Sequence, residues 1–134
     1  MIGAETVAVV SSAEKERVAR QAGASHVLRL DRMKDPKADM RPALAGAGLD
    51  GVDAALDVIG GAVFDASLRC TAPGGRILIV GFASGDIPQI PANILMVKNI
   101  DAIGYYWGAH RNFAPELMQA SFNELLSWLA DGSL

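Results

Sequence analysis

An α/β fold built on a doubly wound, largely parallel sheet is what this sequence predicts, and three observations carry the prediction. Short apolar runs rich in β-branched residues recur, among them TVAVV at 6–10, VDAALDV at 52–58 and RILIV at 76–80. Between them lie segments with apolar residues at helical spacing, such as Val18, Ala19 and Ala22 within Ala13–Ala22. Alternation of this kind builds right-handed strand–helix–strand crossovers and a parallel sheet. Glycines then cluster where two strands end, at Gly60-Gly61 and at Gly81, on the sheet edge where ligands sit in such folds.

Bulk properties narrow the class. A chain of 134 residues with 51% apolar and 20% charged residues suits one globular domain with a real core. A formal net charge of −3 leaves no basic stripe for nucleic acid. The apolar runs are too short to span a bilayer, and no basic-then-apolar leader opens the chain, so no membrane partner is expected. Cys70 is the single cysteine, which excludes an internal disulfide framework and a cysteine-clustered zinc site. A reducing, cytoplasmic setting is expected.

The elements follow in order. Thr6–Val10 reads as a strand covered on both faces, and Ala13–Ala22 as a helix stopped at Gly23. Ser25–Leu30 is a short second strand. The reading then expects loop over Asp31–Arg41 and a short helix from Pro42 to Ala47. Val52–Val58 is a third strand and Ala62–Cys70 a helix, stopped by Pro73-Gly74-Gly75. Arg76–Val80 is a fourth strand. After a proline-bearing loop, Asp86–Pro91, and the stretch Ile94–Lys98, Asp101–Trp107 is expected as a further strand and Pro115–Ala130 as a long amphipathic helix.

One feature of dinucleotide-binding folds is missing: no G-x-G-x-x-G turn joins a first strand to its helix. The strand at Thr6–Val10 therefore reads as the second of the order 3-2-1-4-5-6, in which the first strand is central. Its absence separates two groups of strands and leaves apolar edges with unpaired backbone groups. A partner chain, a swapped strand or direct pairing would have to close that gap, and the chain is expected to be a fragment of a longer protein.

Several stretches carry a family resemblance. GAETVAVVSSAEKERVARQAGASHV, GVDAALDVIGG, the block from Pro73 to Arg111, and ELLSWLADGSL together resemble the medium-chain dehydrogenases/reductases, and among them the zinc-independent NADPH:quinone oxidoreductases. The resemblance implies a Rossmann-like domain, incomplete here, over residues 1–114. It also implies the start of a return segment, over 115–134, to a catalytic domain that lies elsewhere. It implies an NADP(H)-dependent oxidoreductase passing hydride to a quinone or an activated alkene or carbonyl, as a homodimer paired through Asp101 to Trp107. The fragment alone is expected to be inactive. The alternative is a non-catalytic remnant of a nucleotide domain that serves as a dimerisation module.

The cofactor preference is read at the end of the strand Thr6–Val10, the second of the dinucleotide-binding order. An acid there binds ribose hydroxyls and repels a 2′-phosphate. Here Ser11 and Ser12 stand instead, with Lys15 in the first turn of the next helix. Hydroxyls and an ammonium at a helix N-terminus suit a phosphate, so NADP is the expected cofactor, and the resemblance implies that Ser12 and Lys15 carry the preference with Ser11 assisting. Ser11-x-x-Glu14 also matches a capping box, which leaves the other serine free. Where relatives carry a tyrosine this chain has Leu30, and Arg29 or Arg32 is expected to stand in for it.

The resemblance further implies that Val58, Ile59 and Gly60 pass beneath the ribose and pyrophosphate. It places Val80, Gly81, Phe82 and Ser84 beside the nicotinamide ribose. Asp57 reads as a structural acid taking backbone amides, Tyr105, Tyr106 and Trp107 as interface or core, and Cys70 as a small core residue. Neither His26 nor His110 has neighbours at ligand spacing, so no metal site is expected, and no catalytic acid, base or nucleophile is assigned.

Overall fold

The computed structural model describes residues 3–134. The chain divides into two compact units, the first ending at Ile103 and the second running Gly104–Leu134. In the first, β1 (Val7–Val10) leads through α1 (Ala13–Gln21) to β2 (His26–Arg29), and α2 (Pro36–Gly46) leads to β3 (Val52–Asp57). Then come α3 (Gly61–Cys70), β4 (Thr71–Ile79), α4 (Ala92–Lys98) and β5 (Asp101–Gly104). The expected α/β class and parallel pairing are present: β1 pairs parallel with β2, and β3 parallel with β4.

The strands form two sheets, β1-β2 and β3-β4-β5, with no ladder between β1 and β3. The expected separation of strand groups is therefore seen, and direct pairing across it does not occur. What joins the two sheets is α3. Its Ala66 and Cys70 pack with Leu28, Met40 and Leu44, while its Phe64 and Leu68 pack with Ile77 and Ile100. Opposite faces of one helix thus enter two cores, which is why α3 is buried on both flanks. Cys70 lies in the first core, as expected of a small apolar side chain. The strand edges facing the gap are less covered: Leu56 is 69% exposed and Val58 43%.

Three local expectations need correction. The loop over Asp31–Arg41 is mostly helix, because Asp35 caps α2 by accepting from the Lys37 amide at 3.0 Å and Pro36 fits the first turn. Pro42, read as the helix start, lies inside α2. An interior proline costs ~3 kcal/mol in an isolated helix, and burial of Met40 and Leu44 to 2% exposure offsets it. Second, Pro73-Gly74-Gly75 does not separate α3 from β4. The strand starts at Thr71, and the extra residues are absorbed as a register shift, with Val52 opposite Thr71 and Ala54 opposite Arg76. Gly75 permits this crowding, since a Cβ there would lie 2.8 Å from the Asp53 carbonyl oxygen. Third, the last strand ends at Gly104, and Tyr105 and Tyr106 lie outside it.

In the second unit a 3-10 turn at Trp107–Ala109 precedes α5 (His110–Phe113) and α6 (Pro115–Asp131). Trp107 meets Phe122 edge-on with ring centroids 5.0 Å apart. His110 packs between Tyr105 and Phe113, with its Nδ1 3.1 Å from the Trp107 carbonyl oxygen. The long helix expected from Pro115 is present and closes at Gly132. No helix among the described residues is long and apolar enough to cross a membrane.

Candidate functional site

Two groups of loops stand at the carboxyl ends of the parallel strands. At the end of β1, Ser12 is the N-cap of α1, its Oγ accepting from the Lys15 amide at 3.2 Å. The cap is therefore Ser12, not the Ser11-x-x-Glu14 box the sequence suggested. The reason is geometric: α1 begins at Ala13, so Ser12 alone stands at its threshold with extended backbone. Ser11 is left free of capping, and its Oγ accepts from the Lys15 ammonium at 3.1 Å. One serine fixes the helix start, and the other joins the lysine charge on an exposed surface. Val10, Ser12, Glu14, Lys15, Val18 and Ala19 line a shallow concavity there.

Charge around this pair is arranged by a neighbour the sequence gave a different task. Arg29, expected to reach toward a phosphate, instead donates to both carboxylate oxygens of Asp31, at 2.7 and 2.5 Å, and to Glu16 at 3.0 Å. Its side chain is only 10% exposed. The expectation fails because two acids lie within reach and a bidentate carboxylate outcompetes water for a guanidinium. Arg29 and Arg20 hold the Glu16 carboxyl below the usual range, and Arg29 does the same for Asp31. Of the two acids in the first turn of α1, Glu16 is thus neutralised while Glu14 stays on the surface beside Lys15. Arg32 is exposed.

The second group is a clasp between the loops after β3 and β4. Asp57, 3% exposed, accepts from the amides of Gly60 at 2.9 Å and Ile59 at 3.4 Å, the structural role expected of it. The Val80 amide donates to the Asp57 carbonyl, Ala83 to Val58, Ser84 to Ile59 and Gly61 to Asp86, all between 2.8 and 3.1 Å. The Ser84 hydroxyl donates to the Ile59 carbonyl at 2.7 Å and accepts from the Asp86 amide at 3.2 Å. Ser84 therefore spends its hydroxyl within the clasp. Gly60, at φ +78°, makes the closest approach: a Cβ there would lie 2.5 Å from the Asp86 carbonyl oxygen. Phe82 and Val58 remain largely exposed at 41% and 43%. The clasp brings Val58, Ile59, Gly60, Val80, Gly81, Phe82 and Ser84 together. Asp86 was not foreseen, since its partner lies 25 residues away and no local pattern signals the pairing.

Comparison with known proteins gives the family. The sequence profile described as zinc-binding dehydrogenase matches residues 1–130. The chain belongs to that family. It is 35% identical over all 134 residues to the quinone oxidoreductase-like protein 2 of Bos taurus, covering 37% of that protein. Over 84 residues, 63% of the chain, it is 49% identical to a quinone oxidoreductase-like protein 2 homolog of Nematostella vectensis, covering 23% of it. The structure of mycobacterial Rv1454c complexed with NADPH matches 99% of the chain with TM-score 0.84 and 26% identity, over 41% of its own length. The chain thus spans from about a quarter to two fifths of the length of these relatives. The resemblance to medium-chain dehydrogenases/reductases and the Rossmann-like character of the fold are borne out. Although zinc is in the family's name, no group of three or more His, Cys, Asp or Glu side chains gathers among the described residues. The described residues do not fit a zinc centre.

Proposed function

We propose that this chain is the nucleotide-holding part of an NADP(H)-dependent oxidoreductase that passes hydride to a quinone or to an activated alkene or carbonyl. The observation that carries the proposal is the Ser11–Lys15 pair at the mouth of the β1-β2 sheet, with no acid at the strand end. A ribose bearing only hydroxyls is held by a carboxylate, whereas a 2′-phosphate is held by hydroxyl donors and a cation. Ser12 supports the site by setting the helix start, and the Glu16–Arg29 pair removes a competing negative charge. The donor set fits the phosphate of NADP, and the relative complexed with NADPH supports the reading.

In this reading the clasp of residues 57–61 and 80–86 is a rigid floor against which the ribose, pyrophosphate and nicotinamide lie. Val58, Ile59, Gly60, Val80, Gly81 and Phe82 offer backbone and apolar contacts, and Ser84 holds the floor in shape. When bound, the nicotinamide supplies the hydride; this chain's residues bind it and exclude water. No residue of the chain is assigned as catalytic. The remaining parts of the reading are a return segment from Pro115, a reducing cytoplasmic setting, and a homodimer through Asp101 to Trp107. The place of β5 in the three-stranded sheet supports the dimer, because β3-β4-β5 leaves it as an edge strand.

The test is a titration of the 134-residue chain with NADPH and NADH by calorimetry. NADPH is expected to bind more tightly, and Lys15→Ala is expected to reduce the preference about tenfold, the value of one charge-assisted contact to phosphate. Equal affinities in the unsubstituted chain, or a preference untouched by Lys15→Ala, overturn the proposal. Self-association without nucleotide binding would favour the dimerisation module instead.

A further inference from the structure

A positively charged concavity lies on the helical side of the first unit, outside the residues assigned to the nucleotide. It is a cavity of about 490 Å3 lined by Lys37, Ala38, Arg41 and Pro42 of α2, Arg69 of α3, and Asn93, Ile94, Val97 and Lys98 of α4. A volume of this order holds a small organic molecule. Four of the lining residues are cations and none is an acid, on a chain whose net charge is −3. Like charges brought together raise each other's energy, so such a cluster favours an anion as its counter-charge.

The structure supplies little of that counter-charge. Lys37 has an acid partner, Asp65, at 3.6 Å between nitrogen and oxygen. Lys98 lies over the carbonyl end of α3, donating to Arg69 at 2.9 Å, to Leu68 at 3.4 Å, and to Thr71. These carbonyls orient its ammonium but carry no full charge. Arg41 and Arg69 are exposed and have no ion pair among the described residues. Burial, and after it the nearby Arg41 and Arg69 charges, push the Lys98 ammonium below the usual lysine range. The two guanidiniums are the groups with donors to spare, and their forked geometry matches phosphate oxygens. Beside them Pro42, Ile94 and Val97 offer an apolar wall.

We propose that this groove is a separate anion site that takes a phosphate monoester carrying an apolar body. The phosphate sits between Arg41 and Arg69, with Lys98 fixed behind it by the end of α3. The body lies along Pro42, Ile94 and Val97. A dianion is favoured over a carboxylate because it answers two unpaired guanidiniums at once. The site stands independently of the nucleotide reading, since it shares no residue with the Ser11–Lys15 pair or the clasp.

The probe is phenyl phosphate, titrated into the 134-residue chain by calorimetry, with inorganic phosphate and phenol as separate arms. Saturable single-site binding of phenyl phosphate is expected, weaker binding of inorganic phosphate, and none of phenol. The double variant Arg41→Ala/Arg69→Ala is expected to weaken phenyl phosphate binding at least about tenfold. Both side chains are exposed, so the thermal midpoint should not change. Val97→Asp, at a position 75% exposed, tests the wall without touching the core and is expected to weaken binding similarly. Lys15→Ala should leave it unchanged. Absence of saturable binding, binding indifferent to the double variant and to Val97→Asp, or binding lost in Lys15→Ala overturns the proposal.

Discussion

Asp57 shows what a single buried carboxylate does at the end of a strand. It is 3% exposed and accepts two amides of the following turn, which sets Val58, Ile59 and Gly60 in place beneath the clasp. Asp57→Asn keeps the size but turns an acceptor oxygen into a donor that faces one of those amides. The expected loss is about 1–3 kcal/mol, the range for leaving a buried polar group unmatched. Urea unfolding measures it, and a change within error would show that the turn holds without the carboxylate. This residue was legible from sequence, because an acid near the end of an apolar strand must find a partner. The Ser11–Ser12 pair was legible only in part. The sequence showed two hydroxyls and a lysine, but which serine caps depends on where α1 begins. Arg29 was misread for a related reason: Asp31 reaches it from the 3-10 turn after β2 and Glu16 from a neighbouring helix, and only the fold brings Glu16 close.

At the scale of elements, α2 is the informative case. One proline, Pro36, and a run of charges over Asp31–Arg41 read as loop, yet Pro36–Gly46 is one helix. Its start is well built: Asp35 caps the Lys37 amide, and Asp39 reaches back to the amides of Lys34 and Asp35 at 2.8 and 3.1 Å. Asp35→Ala is expected to cost about 1 kcal/mol, as N-cap removal does. The shift in thermal or urea midpoint reads it, and an unchanged midpoint would mean that Asp39 alone suffices. Propensity argued against this helix, and packing of Met40 and Leu44 into the first core decided for it. β4 taught the converse lesson. Pro73-Gly74-Gly75 carries a strong turn signal, and the sheet accommodates it as a bulge because β3 already fixes the ladder on either side. The strands and helices with unbroken periodicity, β1, α1, β3, α3 and α6, were readable within a residue or two of their bounds.

For the molecule as a whole, the first unit rests on one helix shared by two cores and on a charge cluster that ties α1 to β2. Glu16 and Asp31 are both held below the usual carboxyl range by Arg29, with Arg20 also acting on Glu16. A depressed value in the folded state means that the unfolded chain binds the proton more readily. The stabilisation from this cluster is thus complete above the ordinary carboxyl range and lost as pH falls through the lowered values of the folded protein. Arg29→Gln should therefore flatten the acid limb of a stability–pH curve, while stability at neutral pH falls only modestly because the acids are solvent-accessible. Denaturation followed from neutral to strongly acid pH tests this. An acid limb identical in the variant would show that the cluster is not coupled to folding.

Periodicity, composition and the turn residues were enough to establish an α/β chain with parallel strands, an acid-free tip after the strand at Thr6–Val10, and helices with apolar faces. These follow from local chemistry, since a strand or helix must bury its own apolar side. Which serine caps, where Arg29 points, that Asp86 grips Gly60 and Gly61, and that β1 and β3 do not pair were decided by the tertiary structure. The cap turns on where α1 begins, while the Arg29–Glu16 contact spans 13 residues, and the Asp86 contact joins loops that no short window of sequence contains together.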